Sequence, residues 1–575
     1  MQIIIWENMR LTKKSSSFKK YPPSSFMYRV RKWRIIETFI AFVAGGVAAV
    51  EFVYHIIFHY YHFPRYTVDI TIIAIMIAML CTLAWRWFRG EREEGTEEPK
   101  TEPISFPEWK NSIVVLPFEN ISSEESQDYF CDGMTEEIIT DLSSIHDLRV
   151  ISRSSAMMLK GSKKAVRDIA KELNVQYILE GSVRKAENDI RITAQLIEAT
   201  SDAHLWAEKY SVKLDDVFDI QEKVSRSIVD ALKLKLSPEE VRGIAEHAID
   251  NAQAYEWYIR ARQEFWKYTE DSLNRCLQYL KNGETIVGDN ALLLAGIGFV
   301  YFQFYDSGIR LETEYIQNAE SYGKKALHLN SDSPHAHRLL GLVQLKKTGS
   351  TEAYGYIKKA HQLDPNDPDT LLWLGYILSL IKGRISESEP YVRKLLSIDP
   401  LIPANQSAVA GWHLAQGELE QSLSHFRKWY HMEPDSSVGR WHLAVNLALN
   451  QKQEESISLI EQTDKDIPGG PMNTFGLILK CAIKGEKESI KELLTDEITQ
   501  MAWNDFHLPW FMAQCFALLN QKSRALDWLE QAVEQGWTNY PLFSTYDPFL
   551  ENIRGEPRFK KLMKRVKYEW ENFEV

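Results

Sequence analysis

Four ionisable residues, Glu51, His55, His59 and His62, follow one another at intervals of four, four and three. On a helix that spacing puts all four on one face. Imidazoles beside a carboxylate can ligate a metal ion or a haem iron, and ionisable groups at membrane depth cost enough to suggest a function. A plainer reading sets this helix end at a membrane–water interface, in the company of Tyr54, Tyr60 and Tyr61. The plainer reading is preferred, and no cofactor is assigned. A second cluster is Asp132, Glu136, Glu137 and Asp141. General acid–base work needs two carboxylates held about 5–10 Å apart across a substrate. These four instead follow the start and outside of one predicted helix, with Asp132 as its N-cap, where acids suit the helix dipole. They read as structural. The GSKK run at Gly161 lacks the spacing of a phosphate loop. The five cysteines, Cys81, Cys131, Cys276, Cys481 and Cys515, form no CxxC pair, which excludes a disulfide framework or zinc finger and suits a reducing compartment. No catalytic residue is nominated, and the chain is expected not to be an enzyme.

The element that would carry the first cluster is apolar. Thr38–Phe58 and Ile70–Phe88 are each near the ~20 residues that cross a bilayer as a helix, with a short link between them. They are expected to form a two-span membrane hairpin and not a cleaved signal peptide, because the first run starts far from the N-terminus. The leading tail carries nine Lys/Arg, and Arg86, Arg89 and Arg92 follow the second run, whereas the link has only Arg65. Positive flanks stay inside, so tail and body are expected on the cytoplasmic side of a bacterial inner membrane. If only one run inserts, the body is periplasmic.

The 575 residues carry a net charge of -12. Twelve Lys/Arg against four Asp/Glu in residues 1–90 make that part +8 and leave -20 for the rest. An acidic body argues against a nucleic-acid partner, since phosphate binding needs a basic face. The Glu/Pro/Gly-rich stretch Gly90–Glu108 reads as a flexible tether.

Beyond the tether, short β-branched runs (SIVVLPFENI, LRVIS, YILEGSVRK, IRITAQLIEA, LWAEKYS) alternate with helical patterns (DYFCDGMTEEIITDLSSI, AVRDIAKELNV, VFDIQEKVSRSIVDALKLKL). The predicted order is β-α-β-α-β-β-β-α over 111–236, with Gly181 marking a bend in a strand. The runs IVVLPFENIS, DGMTEEIITDLS, LRVISRSSAM, AKELNVQYILEGSVRK and IRITAQLIEATSDAHLWAEKY together resemble the TolB amino-terminal-like domain. That family implies a domain without a known catalytic set, which often accompanies bacterial cyclases, winged-helix regulators and kinases. The β-propeller of TolB itself has no counterpart here, and neither does a cyclase domain.

Turn punctuation then recurs: Pro334, Pro368, Pro403, Ser437 and Pro471 stand 34, 35, 34 and 34 residues apart. Small residues such as Gly341 and Ala353 allow two helices to cross closely, and Asp-Pro ends the second helix. This is tetratricopeptide (TPR) spacing, one helical hairpin per unit, and about eight units are expected over 254–545. The ending, ALDWLEQAVEQGWTNYPLFSTYDPFLENIRGEPRFKKLMKRV, is similar to the closing segment of TPR arrays attached to TolB-like domains, and is expected to cap the last hairpin.

The predicted fold class is therefore multidomain. A basic tail (1–34), a transmembrane helical hairpin (35–89) and a linker (90–110) precede a small α/β domain (111–236), a helical connector (237–253), an all-α TPR superhelix (254–545) and a cap (546–575). Positions two, five and nine of each unit should line a concave groove, which nominates His335, Arg338, Tyr376, Trp441 and Ala404 for protein or peptide binding. Packing between units is an equal reading for Tyr376 and Trp441. The expected function is a membrane-anchored interaction scaffold in bacterial signalling or envelope assembly, with protein partners and the lipid bilayer but no nucleic acid. The alternative is a sensor subunit that binds metal or haem on the Glu51/His55/His59/His62 face and relays to a separate cyclase or kinase.

Overall fold

A computed structural model describes residues 111–575, except for short stretches at 123–126, 187–188, 214–216, 239, 242–247, 266–268, 308, 311 and 348. It also describes Ile73, Met76 and Thr82, each helical. The expected tail, membrane hairpin and linker and the Glu51/His55/His59/His62 cluster otherwise lie outside the described residues. Among the described residues no helix is long and apolar enough to cross a membrane.

The α/β region opens with β1 (Ser112–Val115), all four residues buried, and the short β2 (Glu119–Asn120). Helix α1 (Asp128–Ser143), β3 (Arg149–Val150), α2 (Arg153–Met157) and α3 (Val166–Leu173) follow. The meander β4 (Tyr177–Ala186), β5 (Asp189–Glu198) and β6 (Ala203–Lys213) comes next, and α4 (Val217–Ala231) closes the unit. The strand order is β3-β1-β4-β5-β6, with β2 pairing β4 beyond β1. β1 runs parallel to β3 and β4, whereas β4, β5 and β6 are antiparallel. Along β5 the buried Ile190, Ile192, Ala194 and Leu196 alternate with more exposed residues, the period of a sheet with one covered face. Gly181 is required by close approach: a Cβ there would lie 2.4 Å from the Phe118 ring and 2.5 Å from the Thr193 carbonyl. Asp132 is not the N-cap of α1. The helix starts a turn earlier, after Gln127, and Asp128 supplies the acid of its first turn.

Eight helical pairs follow among the described residues. They are α5/α6 (Ala252–Phe265, Glu270–Val287), α7/α8 (Ala291–Asp306, Thr313–Leu329) and α9/α10 (Pro334–Lys347, Ser350–Leu363). Next come α11/α12 (Pro368–Tyr376, Ile385–Ile398), α13/α14 (Gln406–Leu414, Leu419–Met432) and α15/α16 (Ser437–Leu449, Gln453–Asp466). The last are α17/α18 (Pro471–Lys484, Lys487–Leu493) and, after the single α19 (Asp496–Asn504), α20/α21 (Leu508–Leu518, Lys522–Glu534). Pro334, Pro368, Ser437 and Pro471 each begin a first helix, and Pro403 opens a 3-10 turn that runs into α13. At α11 the reason is explicit: Asp367 accepts from the Thr370 amide at 3.1 Å as N-cap, and Pro368 takes the first position, where its missing N–H costs nothing. Gly341 marks a close crossing, since a Cβ there would meet Ile357 at 2.5 Å.

Two features shape this body. Helix α11 widens into a π turn at Ile377–Ile381, which frees carbonyls from the usual ladder. The C-terminal segment returns to that turn. Thr538 N donates to Ile381 O (2.9 Å), and Asn539 Nδ2 donates to Ser379 O (3.2 Å) and Leu380 O (3.0 Å). The buried Lys382 ammonium reaches Gly536 O at 2.9 Å, and Arg384 reaches the carbonyls of Trp570 (2.6 Å) and Phe573 (2.9 Å) near the end of α22 (Pro557–Glu571). The closing segment thus covers the last pair and also ties it to the fourth.

Candidate functional site

A cavity lined by α11, α13, α15 and the start of α20 contains two of the nominated groove residues. Tyr376 ends α11 and Trp441 sits in the second turn of α15; both are 6% exposed. They share a cavity of about 70 Å³ with Trp373, His442, Asp505, Phe506, His507, Trp510 and Gln514. The turn before α20 is held by Asp505, whose Oδ1 accepts from the amides of His507 (2.7 Å) and Leu508 (3.0 Å). That turn presents His507 to Tyr376, and the Tyr376 hydroxyl and His507 Nδ1 share a hydrogen bond of 2.5 Å. Trp441 packs edge-on against Phe511 (5.1 Å between centroids) and His507 (5.8 Å), and lies 4.6 Å from His442.

The charges around this cavity are set by its depth. Burial pushes His507 down to about 4 against the pull of Asp505, and pushes His442 well below the ordinary imidazole value, helped by His507. Both rings are therefore neutral at pH 7. Burial alone would raise the Asp505 carboxyl, but the Lys346 ammonium and the two amides outweigh it and hold the group below the usual carboxylate range. Lys346 stands between two carboxylates, 3.0 Å from Asp306 and 3.4 Å from Asp505.

His335 and Arg338 come together elsewhere. They line a cavity of about 40 Å³ with Arg262, Phe265 and Phe299. Arg338 grips both oxygens of Asp367 at 2.6 Å and lies over the Phe299 ring at 5.0 Å. Burial, then Arg338 and Arg262, lower His335 to about 4. Ala404 lies in the 3-10 turn Pro403–Asn405, half-buried against the repeat core. The nominated residues thus fall into two separate places.

The seam between the α/β region and the repeats was not foreseen. The buried Asp399, after α12, accepts from Ser155 Oγ (2.7 Å), Ser155 N (3.1 Å), Asn405 Nδ2 (2.8 Å) and the Ser152 hydroxyl. Ser152 N also donates to Ile398 O at 2.7 Å. Asn366 donates to Ser143 O, and Glu136 is clamped by Arg153 at 2.8 Å and by Arg262. Lys185 and Arg260 meet Glu256 at 3.4 and 2.9 Å, and Tyr129 donates to the same carboxylate at 2.5 Å. The acidic cluster of α1 serves this seam and its neighbours. Asp132 pairs Lys160 at 2.7 Å, and Asp141 accepts from Ser225 at 2.8 Å. Burial raises Glu137 to about 8, aided by Asp141 and Glu136, and raises Asp141 to about 7. Asp399–Pro400 belongs to the repeat punctuation, like Asp364–Pro365, and its local explanation hid the lock. Among the described residues no group of three or more His, Cys, Asp or Glu could hold a metal ion, and Cys131, Cys276, Cys481 and Cys515 are free and buried.

The described fold is a mostly helical, TPR-like superhelix with a small α/β region. Residues 109–230 match the family described as HilA/YgeH-like transcriptional regulator, second domain. The chain is 36% identical over 261 residues to putative adenylate cyclase 3 of Rhizobium meliloti, covering 45% of this chain and 44% of that protein. It is 21% identical over 243 residues to the transcriptional regulator HilA of Salmonella typhimurium, covering 42% of each. The chain therefore spans less than half the length of these curated relatives. Among solved structures it is similar to YrrB, described as a TPR protein with an unusual peptide-binding site (16% identity, 34% of this chain, 95% of that one, TM-score 0.25). It is also similar to the human IFIT1 dimer with PPP-AAAA (11% identity, 62% and 90%, TM-score 0.34). At these scores neither carries an argument about ligand or superhelical shape.

Proposed function

We propose that the chain is a non-enzymatic, membrane-anchored scaffold that presents protein partners with a repeat surface, in bacterial signalling or envelope assembly. The observation that supports this most is the joining of eight helical pairs to an α/β module through a buried polar lock on Asp399. A solenoid offers a long surface, and the lock gives two modules one orientation. The TolB amino-terminal-like reading of 111–236 fits a module that rides with other signalling domains. The apolar runs 38–58 and 70–88 would supply a two-span anchor in the inner membrane, with tail and body on the cytoplasmic side; a periplasmic body is the alternative. His335, Arg338, Tyr376 and Trp441 would serve the partner face, Tyr376 and Trp441 by receiving a group inserted between them. Nucleic acid is not expected as a partner of so acidic a body.

A second reading, a subunit that relays to a separate cyclase or kinase, is favoured by the 36% identity to putative adenylate cyclase 3. In that version Glu51, His55, His59 and His62 hold a metal or haem.

One experiment on the full chain in membranes tests both. A C-terminal reporter reads sidedness, and photo-crosslinkers on exposed repeat positions read partners. The scaffold predicts a cytoplasmic reporter and one reproducible protein crosslinked from the array. A relay predicts visible absorbance or bound metal in the purified protein. A body that crosslinks nothing and carries neither overturns both.

A further inference from the structure

The meander leaves one face of the α/β sheet open. Ile190, Ile192 and Leu196 are buried on its other face, the side packed under α4. Alternate residues point away from that packing. The strand register sets them in two neighbouring rows: Arg184, Arg191 and Ser211 in one, Ser182, Thr193 and Lys209 in the next. Arg184, Arg191 and Lys209 are exposed. Two arginines directly opposite one another repel, and among the described residues none of these three cations pairs with a carboxylate. The acids of this face are engaged or lie at its rim. Asp189 pairs Lys213 at 2.5 Å, Glu180 accepts from Gln195, and Glu119 stands on the short β2. Glu208 belongs to the opposite face, where it accepts from Tyr210 at 2.6 Å. Arg184, Arg191, Lys209 and Lys213 thus outnumber Asp189, Glu180 and Glu119, in a chain that carries -20 beyond residue 90. The register of β2 also runs on to set Ile121, 52% exposed, beside Arg184.

We propose that this open sheet face lies against an anionic bilayer surface and so orients the repeat array over the membrane. The inference rests on the membrane-anchored reading and deepens it. The Gly90–Glu108 tether leads from the second apolar run straight into β1, so the α/β region is the first folded part beyond the anchor. Guanidinium forks suit phosphate oxygens, and the hydroxyls of Ser182, Thr193 and Ser211 add donors between them. An exposed isoleucine among cations suits the boundary between headgroups and acyl chains. Each cation near an anionic surface strengthens binding only about five-fold. The tether makes that enough, because it holds the face at high effective concentration beside the bilayer. The acidic remainder of the body is repelled by the same surface, which leaves this face as the one attracted. A free polyanion such as a nucleic acid lacks the tether and meets the repulsion in full.

The test is photo-crosslinking of the full chain in nanodiscs of phosphatidylcholine, with or without phosphatidylglycerol. The crosslinking residue replaces the exposed Ser211 or, as control, the exposed Glu454 on the repeats. Lipid adducts are expected from Ser211 in the anionic discs. They should fall at least ~10-fold in neutral discs and in an Arg184→Ser/Arg191→Ser/Lys209→Ser chain, as the loss of several surface cations implies. Glu454 should give few in either. Adducts that ignore lipid charge, that form equally from Glu454, or that persist in the folded triple variant overturn the proposal. Added duplex DNA that displaces the lipid and itself crosslinks to Ser211 also overturns it, in favour of a nucleic acid. If the triple variant does not fold, the lipid comparison on the otherwise unaltered chain decides. A chain that joins neither kind of disc refutes the anchor instead, and co-sedimentation with phosphatidylglycerol vesicles then decides the face by itself.

Discussion

The seam and the aromatic cavity sit on the same array and treat polar groups in opposite ways. At the seam, Asp399 accepts from two serines and an asparagine, and Glu136 answers two arginines. In the cavity, Trp441 Nε1 is left without an acceptor among rings. A satisfied buried network rigidifies and specifies one arrangement, whereas an unsatisfied one is a cost that binding can repay. The seam reads as assembly. Their titration differs as well. Burial raises the seam's Asp399, Arg262 and Arg153 hold the seam's Glu136 low against burial, and burial lowers the cavity imidazoles.

The largest effect that would break this comparison lies at the closing segment. Trp537 is fully buried, and its Nε1 donates to Phe506 O at 2.5 Å. Trp537→Ala should cost about 3–5 kcal/mol in chemical denaturation and loosen His507 and Trp510, against which its ring packs. A loss under 1 kcal/mol would mean that the return of the C-terminus does not brace the rings of the cavity.

Next comes the lock. Asp399→Ala orphans the donors of Ser152, Ser155 and Asn405 and should cost about 2–4 kcal/mol. Limited proteolysis should then release the α/β region first. Simultaneous loss of both regions would show that the seam is not a separate joint.

The pH dependence sharpens the contrast. Glu137 and Asp141 bind protons more tightly in the folded state, with values near 8 and 7. Their contribution is full below the ordinary carboxyl range and is lost as pH rises through 7–8. His442 and His507 bind protons less tightly when folded, His507 near 4. Their contribution is present above about 6.5, the ordinary imidazole value, and is lost as pH falls toward 4. Melting temperature against pH should therefore fall at both ends. Glu137→Gln should flatten the alkaline limb alone and His507→Gln the acid limb alone. Either substitution flattening the other limb would sink the assignment.

The smallest effect is expected at Arg558, which pairs Asp527 at 2.7 Å and Glu530 at 2.6 Å on the surface of the closing helix. Arg558→Ala should cost no more than about 1 kcal/mol, and less in high salt, as exposed pairs do. A larger loss would make this pair part of the return contact.

Much of the architecture was legible before any coordinates. The marks at Pro334, Pro368 and Ser437 each begin a helix, because a proline at the first helical position and a side-chain cap act locally. Gly341 as a crossing point was legible for the same reason, a missing Cβ where two helices meet. The start of α1 was misplaced by a turn because Gln127 caps it without a side-chain bond, leaving no sequence signal. Arg338 and Trp441 were nominated by position in the unit. Position says where a Cα stands along a helix and not which neighbour closes over it.

Local chemistry therefore determined the helical pairs, their period and the alternating faces of the meander, since these depend on residues within a few positions of one another. The tertiary structure alone decided the rest. Asn539 finds its acceptors only because a π turn about 160 residues earlier releases the Ser379 and Leu380 carbonyls, and Ser155 meets Asp399 only because the array curves back to it. Backbone acceptors carry no residue signature, so contacts made to them leave no trace in the chain that makes them.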